Sequence, residues 1–149
     1  MQVGEFCNRE VVILYGDESV KAAAELMRSH HVGDVVLVEE QQGKCVPTGL
    51  ISDRDLVVEV MVPGLQPEKL AAKDIVTRPV LLAHEKDSLF DALEVMREKG
   101  IRRLPVVDDN QALIGIITID DIIDILTEML GCVVQVIKRQ RDLETQERP

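Results

Sequence analysis

The hydrophobic positions of this chain follow two different spacings. Within residues 20–30, Val20, Ala23 and Met27 recur every three or four positions, which is the spacing of one face of an α-helix. Residues 89–99 show the same spacing, and a Ser with good helix N-cap character precedes each segment. We therefore expect two helices over these ranges, each with its apolar face in a core.

Short apolar runs rich in β-branched residues surround the predicted helices. One run precedes each helix, at 11–14 and 80–82, and a pair of runs separated by a polar turn follows it. Such runs are typical of strands, and the pair predicts a hairpin. The predicted hairpins consist of 35–38 and 46–51 around a turn at 39–44, and of 104–107 and 113–117 around a tighter turn at 108–111.

The two halves of the chain repeat one another. Residues 19–28 align with 88–97 at an offset of 69, and Ser, Ala, Glu, Met and Arg coincide within them. After a three-residue deletion in the second copy, Gly49-Leu-Ile-Ser-Asp-Arg-Asp55 falls on Gly115-Ile-Ile-Thr-Ile-Asp-Asp121. Each half is predicted to have the order β-α-β-β-α. Since neither half can cover both faces of its sheet, we expect the halves to pack sheet against sheet.

Breaks in the pattern divide the chain. Residues 63–67 contain two prolines and a glycine, which cannot continue a helix. A second helix in each half is expected from near Arg54 or Asp120, with Gly131 as the stop of the later one. The sequence after Ile137 has too few apolar residues to pack, so it is expected to be solvated. The expected boundaries are 1–62 for repeat 1, 63–70 for a linker, 71–131 for repeat 2 with a short helix at 71–76, and 132–149 for a charged C-terminal extension.

Composition narrows the classes of function. The formal net charge is −10 and only 2% of residues are aromatic, whereas nucleic-acid surfaces need basic stripes and stacking faces. No apolar run approaches the roughly 20 residues that span a bilayer, and the first ten residues do not resemble a secretory signal. We therefore expect a cytoplasmic protein without nucleic-acid or membrane partners. The cysteines, Cys7, Cys45 and Cys132, are odd in number and far apart, which favours reduced thiols over disulfides or a zinc pair.

The sequence contains no recognisable catalytic set. We identify no nucleophile with a nearby base, no paired acids of a cleft and no glycine-rich phosphate loop. His30 and His31 are adjacent, so they project in different directions and do not form the i, i+4 pair of a metal site. We expect no enzymatic activity, no metal site and no required cofactor.

The duplicated Gly-apolar-apolar-Ser/Thr-x-x-Asp motif combines groups that suit a nucleoside phosphate. The helix that starts there presents free N–H groups and the positive end of its dipole, and Ser52 or Thr118 adds a hydroxyl. Asp55 or Asp121, about one helical turn onward, can accept hydrogen bonds from the two hydroxyls of a ribose. The same residues are equally good helix caps without a ligand, so structural capping is the alternative.

The duplicated order of elements and the duplicated motif resemble the cystathionine β-synthase (CBS) repeat pair, also called a Bateman module. The resemblance covers residues from about 5 to 130, including 30–38 and 100–108, which are similar to the family's first helix-to-strand junction. It implies an α/β fold of two CBS repeats packed as a pseudo-twofold pair through their sheets, of the stand-alone bacterial or archaeal type. It also implies a regulatory module that binds AMP, ADP or ATP and senses the energy or metabolite state.

The resemblance assigns roles to individual residues. It places phosphate and ribose contacts on the Ser/Thr and Asp of each motif, and adenine contacts on the backbone at 8–11 and 77–80. Arg54 is expected to neutralise phosphate in the first site, which favours that site if only one is used. Arg102 and Arg103 either add positive charge across the cleft or lie on the solvated surface. The expected nucleotide-binding residues are Asn8, Val11, Ser52, Arg54, Asp55, Thr77, Val80, Arg103, Thr118, Asp120 and Asp121.

Apolar residues also surround the predicted helix after each motif. One face of each helix must contact its sheet. The apolar residues on the other faces exceed what the sheet can cover, and they predict a homodimer through these helices. The alternative function is a structural or protein-interaction module whose nucleotide pocket is vestigial or unoccupied, with a protein partner that the sequence does not identify. The apolar residues are Val57, Val58, Val60 and Met61 after the first motif, and Ile122, Ile123, Ile125 and Leu126 after the second.

Overall fold

The chain folds into two similar α/β halves. In the computed structural model, which describes residues 1–148, each half contains a three-stranded sheet with helices packed on it. The expected fold class is confirmed, as are the helices over 20–30 and 89–99. The elements are α1 (Val3–Phe6), β1 (Ile13–Tyr15), α2 (Val20–His30), β2 (Asp34–Gln41), β3 (Lys44–Ser52), α3 (Asp53–Leu56), β4 (Ala83–His84), α4 (Leu89–Lys99), β5 (Arg103–Val107), β6 (Leu113–Thr118) and α5 (Ile119–Glu147). A π-helical turn (Val57–Met61) continues α3. One 3₁₀ turn (Pro67–Lys69) lies in the linker, and a second (Ala72–Ile75) lies at the start of repeat 2, within the short helix predicted at 71–76.

The first sheet has the strand order β1-β2-β3. β1 runs parallel to β2 because α2 forms the crossover between them, whereas β2 and β3 form an antiparallel hairpin. α2 begins at Ser19, whose Oγ accepts a hydrogen bond from Ala22 N at 3.1 Å. Its apolar face lies on the sheet. The buried core of this half consists of Leu14, Val20, Ala23, Met27, Val35, Leu37, Ile51, Val60, Ala72 and Ile75.

The second sheet repeats this order as β4-β5-β6. α4 begins at Ser88, whose Oγ accepts a hydrogen bond from Asp91 N at 3.0 Å. It ends at Gly100, where φ is +64° and the left-handed conformation favours glycine. β4 lies just after the predicted run at 80–82. The buried core of this half consists of Val3, Ala83, Leu89, Ala92, Met96, Leu104, Val106, Ile117 and Ile122.

Each half packs a short segment onto the other half. α1 was not predicted, and it lies on the second sheet: Val3 is fully buried in the second core, and Asn8 exchanges two backbone hydrogen bonds of 2.9 Å with Ile116. The 3₁₀ turn at the start of repeat 2 contributes Ala72 and Ile75 to the first core. The two segments are equivalent at the offset of 69 residues. Each repeat therefore places the same part of its chain on the core of the other repeat.

The two sheets meet through the faces that point away from these cores. Side chains alternate between the two faces of a strand. Val36 and Val38 of β2, and Pro105 and Val107 of β5, lie outside the two cores, and none is more than 3% exposed. β3 lies against β6 across the same boundary. The halves therefore form the expected pseudo-twofold pair, packed through their sheets.

The two hairpins differ from the expected ones. β2 and β3 extend to a two-residue turn at Gln42 and Gly43, where φ is +52° and +77°, the conformation of a type I′ turn. β5 and β6 are shorter and are joined by 108–112, in which Asp108 Oδ1 accepts a hydrogen bond from Asn110 N at 2.8 Å. The prediction of a tighter second turn was wrong, because the deletion shortens the strands instead.

α5 continues far beyond its expected end. It runs for 29 residues through Gly131, so the predicted stop there was wrong. A glycine ends a helix when it adopts a left-handed conformation, and Gly131 is not among the residues with positive φ. Every residue from 126 to 148 is exposed. The predicted extension after Ile137 is thus solvent-exposed but helical, and Pro149 lies outside the described residues.

Candidate functional site

Each motif lies where the last strand of a sheet, β3 or β6, ends and a helix begins. Ser52 ends β3 and caps α3: its Oγ accepts a hydrogen bond from Asp55 N at 3.1 Å, and Asp55 Oδ2 accepts one from Ser52 N at 2.8 Å. Thr118 and Asp121 form the same reciprocal pair at the start of α5, at 3.1 and 3.0 Å. Both motifs are therefore capping boxes, and the carboxylates are held in one orientation.

The capping boxes leave part of each polar group available. Oδ1 of Asp55 and Oδ1 of Asp121 receive no hydrogen bond from residues 1–148. The hydroxyls differ, because Thr118 Oγ1 donates to Asp121 Oδ2 at 2.9 Å, whereas Ser52 Oγ donates to no group within residues 1–148. Each motif therefore keeps one carboxylate oxygen able to accept a hydrogen bond, and of the two hydroxyls only that of Ser52 has a proton not donated within residues 1–148.

The glycine of each motif has a packing role that the sequence did not reveal. A Cβ on Gly115 would lie 2.7 Å from Cys7 Sγ and 2.8 Å from Asn8 O. A Cβ on Gly49 would lie 3.1 Å from Cγ1 of Val76. The segment that each half packs onto the other half crosses the motif strand at this glycine. The absence of a side chain there lets residues 7–8 lie close to the second motif and Val76 lie close to the first.

An ion pair connects the two halves beside the motifs. Asp34 lies opposite Ser52 in the β2–β3 register, and Arg103 lies opposite Thr118 in the β5–β6 register. Arg103 Nη1 is 3.0 Å from Asp34 Oδ2, but this buried oxygen receives no hydrogen bond, so the contact is ionic and poorly aligned. Asp34 was not predicted to contribute to the site, because its ion pair with Arg103 forms only when the two halves pack together.

The remaining predicted charges lie at the surface. Arg54 is exposed and forms no ion pair within residues 1–148, so its guanidinium is available to an anion. Arg102 Nη2 lies 3.5 Å from Asp120 Oδ1 with both side chains exposed, an arrangement that water screens strongly. The second motif thus has Arg103 on its facing strand and Arg102 just before that strand, with Arg103 paired to Asp34 and Arg102 to Asp120.

The two segments with the predicted adenine contacts, residues 8–11 and 77–80, lie beside different motifs. Asn8 is exposed and pairs with the strand that leads to Thr118. Thr77 is exposed and follows Val76, which packs against Gly49 of the first motif. The predicted Val11 and Val80 are half-buried and lie further along the same segments. Each motif is therefore flanked by a segment from the other repeat.

A cavity of about 610 Å³ lies toward the opposite end of β2 from Asp34, and Arg78 is the one residue of the predicted contact segments among its described lining residues. Within it, Lys73 Nζ is 2.6 Å from Asp17 Oδ1. The hydrogen bond from Lys73 lowers the pKa of Asp17, and the same bond raises the pKa of Lys73. The sequence did not single out this cavity, because its walls come from segments far apart in the chain. Its lining is Tyr15, Gly16, Asp17, Leu37, Val38, Glu39, Glu40, Thr48, Lys73, Val76 and Arg78.

His30 and His31 lie at the end of α2, and Cys7 and Cys45 are half-buried. His30 Nδ1 lies 3.2 Å from Leu26 O at the end of α2, and His31 is the left-handed C-cap with φ of +55°. Burial raises the pKa of the Cys7 thiol and of the Cys45 thiol. Among residues 1–148, no group of three or more His, Cys, Asp or Glu side chains is placed to hold a metal ion. Over the same residues, no helix combines the length and apolar character needed to cross a bilayer.

Comparison with known proteins places these features in a family. The CBS domain model matches residues 3–62 and 72–128. An uncharacterized protein of Methanopyrus kandleri is 38% identical over 139 residues, which cover 93% of this chain and 69% of that protein.

Two solved structures with bound ligands share the fold. A CBS domain protein of Pyrobaculum aerophilum complexed with AMP is 26% identical, with a TM-score of 0.72 over 81% of this chain and 89% of that one. The CBS domain pair of protein MJ0100, in complex with 5′-methylthioadenosine and S-adenosyl-L-methionine, is also 26% identical. Its TM-score is 0.72 over 87% of this chain and 98% of that one.

Proposed function

This chain belongs to the CBS domain family, and we propose that it is a regulatory module that binds an adenine nucleotide, AMP, ADP or ATP, between its two repeats. The observation that carries the proposal is the duplicated capping box, which holds a free carboxylate oxygen beside a helix N-terminus in both halves. The ligands named for the two solved relatives, AMP in one and two adenosine derivatives in the other, support an adenosine-containing ligand. The proposal assigns binding to the chain and no catalytic step.

In this proposal the Asp of each motif accepts hydrogen bonds from the ribose, and the Ser or Thr contacts a phosphate. The backbone at 8–11 and 77–80 contacts the adenine. The charges make the two sites unequal: the first has Arg54 and the available hydroxyl of Ser52, but its cross-strand neighbour is Asp34. The second has Arg103 as its cross-strand neighbour, but its hydroxyl is engaged by Asp121.

A calorimetric titration with AMP, ADP, ATP and S-adenosylmethionine tests the proposal. We expect saturable binding of at least one nucleotide. Asp55→Asn or Asp121→Asn is expected to weaken it by about tenfold or more, because a hydrogen bond to a charged group contributes about 1.5–3 kcal/mol. Asparagine keeps an oxygen for the capping hydrogen bond, so the helix start is preserved.

Matched controls lie on the same helices. Asp53→Asn and Asp124→Asn remove exposed carboxylates near the two motifs and are expected to leave the affinity within about twofold, as weak surface electrostatics predict. Heat on mixing that does not saturate for any ligand at millimolar concentration would contradict nucleotide binding. It would favour the structural or protein-interaction module, in which the two motifs are caps only.

We also propose a homodimer through the helices that follow the motifs. Val60 and Ile122 are buried in the two cores, and Leu56, Ile119 and Ile125 pack against them. Other apolar residues of these helices are exposed. Such a surface is suited to a second copy, because closed dimers bury apolar faces of this kind. The exposed members are Val57, Val58 and Met61 after the first motif, and Ile123 and Leu126 after the second.

A further inference from the structure

The outer part of α5 is a helix without a packing partner in its own chain. Residues 126–147 are all exposed, and Leu130 and Val136 are 66% and 69% exposed. A free helix in water gains little from backbone hydrogen bonding alone, and most helical stability in proteins comes from packing of an apolar face. This segment, which we call the α5 extension, therefore has an apolar face that needs a partner.

The α5 extension carries a heptad pattern. Its apolar residues alternate at spacings of three and four, as the a and d positions of a two-stranded coiled coil do. The neighbouring e positions add Leu130 and Ile137, whereas most residues on the far side are polar or charged. The a positions are Leu126, Val133 and Gln140, and the d positions are Met129, Val136 and Leu143.

We propose that the α5 extension pairs with the same segment of a second copy of this chain, parallel and in register. Gln140 is the one polar residue among the six a and d positions. In a parallel, in-register pair it meets Gln140 of the other copy, and the two amides can donate to and accept from each other. In other registers it faces an apolar residue and loses hydrogen bonds, and a single polar a position is known to select register in this way.

The charges beside the seam favour the same arrangement. Arg139 occupies a g position and Glu144 the following e position. In a parallel pair these positions of opposite helices lie side by side, which gives two Arg–Glu contacts by symmetry. In an antiparallel pair g faces g, and the g positions Ile125, Cys132, Arg139 and Gln146 include no acid. Within residues 1–148 the one ion pair of Glu144 is with Arg148, at 3.7 Å between exposed side chains, and a weak surface pair of this kind can be exchanged for Arg139 of the other copy.

The α5 extension continues the surface that the proposed homodimer uses. Ile123 and Leu126 are half exposed and lie on the same face as Leu130 and Val133. One continuous helix therefore links the start of the second motif at Thr118 to the paired segment. The proposal stands independently of ligand binding, since it uses no residue of the two motifs.

Disulfide cross-linking tests the pairing. In a Cys132→Ser background, Val136→Cys places a thiol at a d position, where the two copies are in contact. Gln135→Cys, at the adjacent c position, is the matched control on the solvent face. Under mild oxidation we expect a covalent dimer with Val136→Cys and at least about tenfold slower formation with Gln135→Cys. Equal rates for the two variants, or a monomeric Val136→Cys chain, would overturn the proposal.

A charge exchange tests the direction of the helices. In the Val136→Cys chain, Arg139→Glu places Glu beside Glu144 of the other copy, and we expect cross-linking to slow by about tenfold, the effect of about 1.4 kcal/mol. The double variant Arg139→Glu, Glu144→Arg restores opposite charges and is expected to restore the rate. A rate that is insensitive to the single change, or not restored by the double one, would exclude the parallel pairing. Circular dichroism of each variant establishes that the helix content is retained.

Discussion

At the residue scale, the two motif glycines show that the same sequence position can be constrained to different degrees. Gly115 lies under the backbone of Asn8, which cannot move without loss of its two hydrogen bonds to Ile116. Gly49 lies under the side chain of Val76, whose methyl groups can shift. The repeat aligned the two glycines, but the sequence does not show which atoms approach them, because those atoms belong to the other repeat.

Alanine substitutions distinguish these glycines. We expect Gly115→Ala to lower the free energy of unfolding by about 3 kcal/mol and Gly49→Ala by about 1 kcal/mol, the range that overpacking of a filled site produces. Gly131→Ala is the control, because no atom lies within 4 Å of its Cβ position and alanine favours an exposed helix by about 1 kcal/mol. Urea unfolding measures all three. Equal losses at the two motif glycines would show that the exchanged segments do not pack as described.

At the element scale, the sequence predicted those elements whose signals are local. The helical spacing and the preceding Ser define α2 and α4 at the bounds that the structure shows. α1 was missed because its stability comes from burial of Val3 in the second core, whose other buried residues lie eighty or more positions away. The end of α5 was misplaced because Gly131 is a stop only in a left-handed conformation, which nothing in the neighbouring residues enforces.

The start of α5 depends on the Thr118 hydroxyl. Thr118→Val keeps the shape of the side chain and removes the oxygen that accepts from Asp121 N. We expect the free energy of unfolding without ligand to fall by about 1 kcal/mol, the usual contribution of an N-cap. Thr118→Ser retains the hydroxyl and is expected to stay within about 0.5 kcal/mol of the original chain. Chemical unfolding followed by circular dichroism checks both, and a Val variant as stable as the Ser variant would contradict the capping role.

At the scale of the whole molecule, the repeat predicted the pairing of the two sheets but not the charges between them. Asp34 and Arg103 occupy equivalent positions of the two repeats, at the offset of 69 residues. Alignment therefore showed them as a substitution, whereas the pseudo-twofold packing places them in contact. The predicted motif residues were identified from the duplicated spacing together with the family resemblance. The charges around them were not identified, because their positions depend on how the halves are packed together.

The Asp34–Arg103 pair is expected to control which adenosine compounds the proposed sites accept. A phosphate that approaches Arg103 competes with Asp34, and an uncharged adenosine does not. Asp34→Asn removes that competition, so we expect the ratio of AMP affinity to adenosine affinity to rise by about tenfold, which corresponds to about 1.4 kcal/mol.

Arg103→Gln is the reciprocal change, and it is expected to lower the same ratio because the nearby positive charge is lost. The ratio of the two affinities separates the charge effect from a general distortion of the site, since a distorted site weakens the binding of AMP and of adenosine together. Calorimetry with AMP and adenosine on the three chains measures it. If the ratio is the same in all three, Arg103 lies too far from the phosphate to contribute, and the charge that neutralises the phosphate must be sought at Arg54 instead.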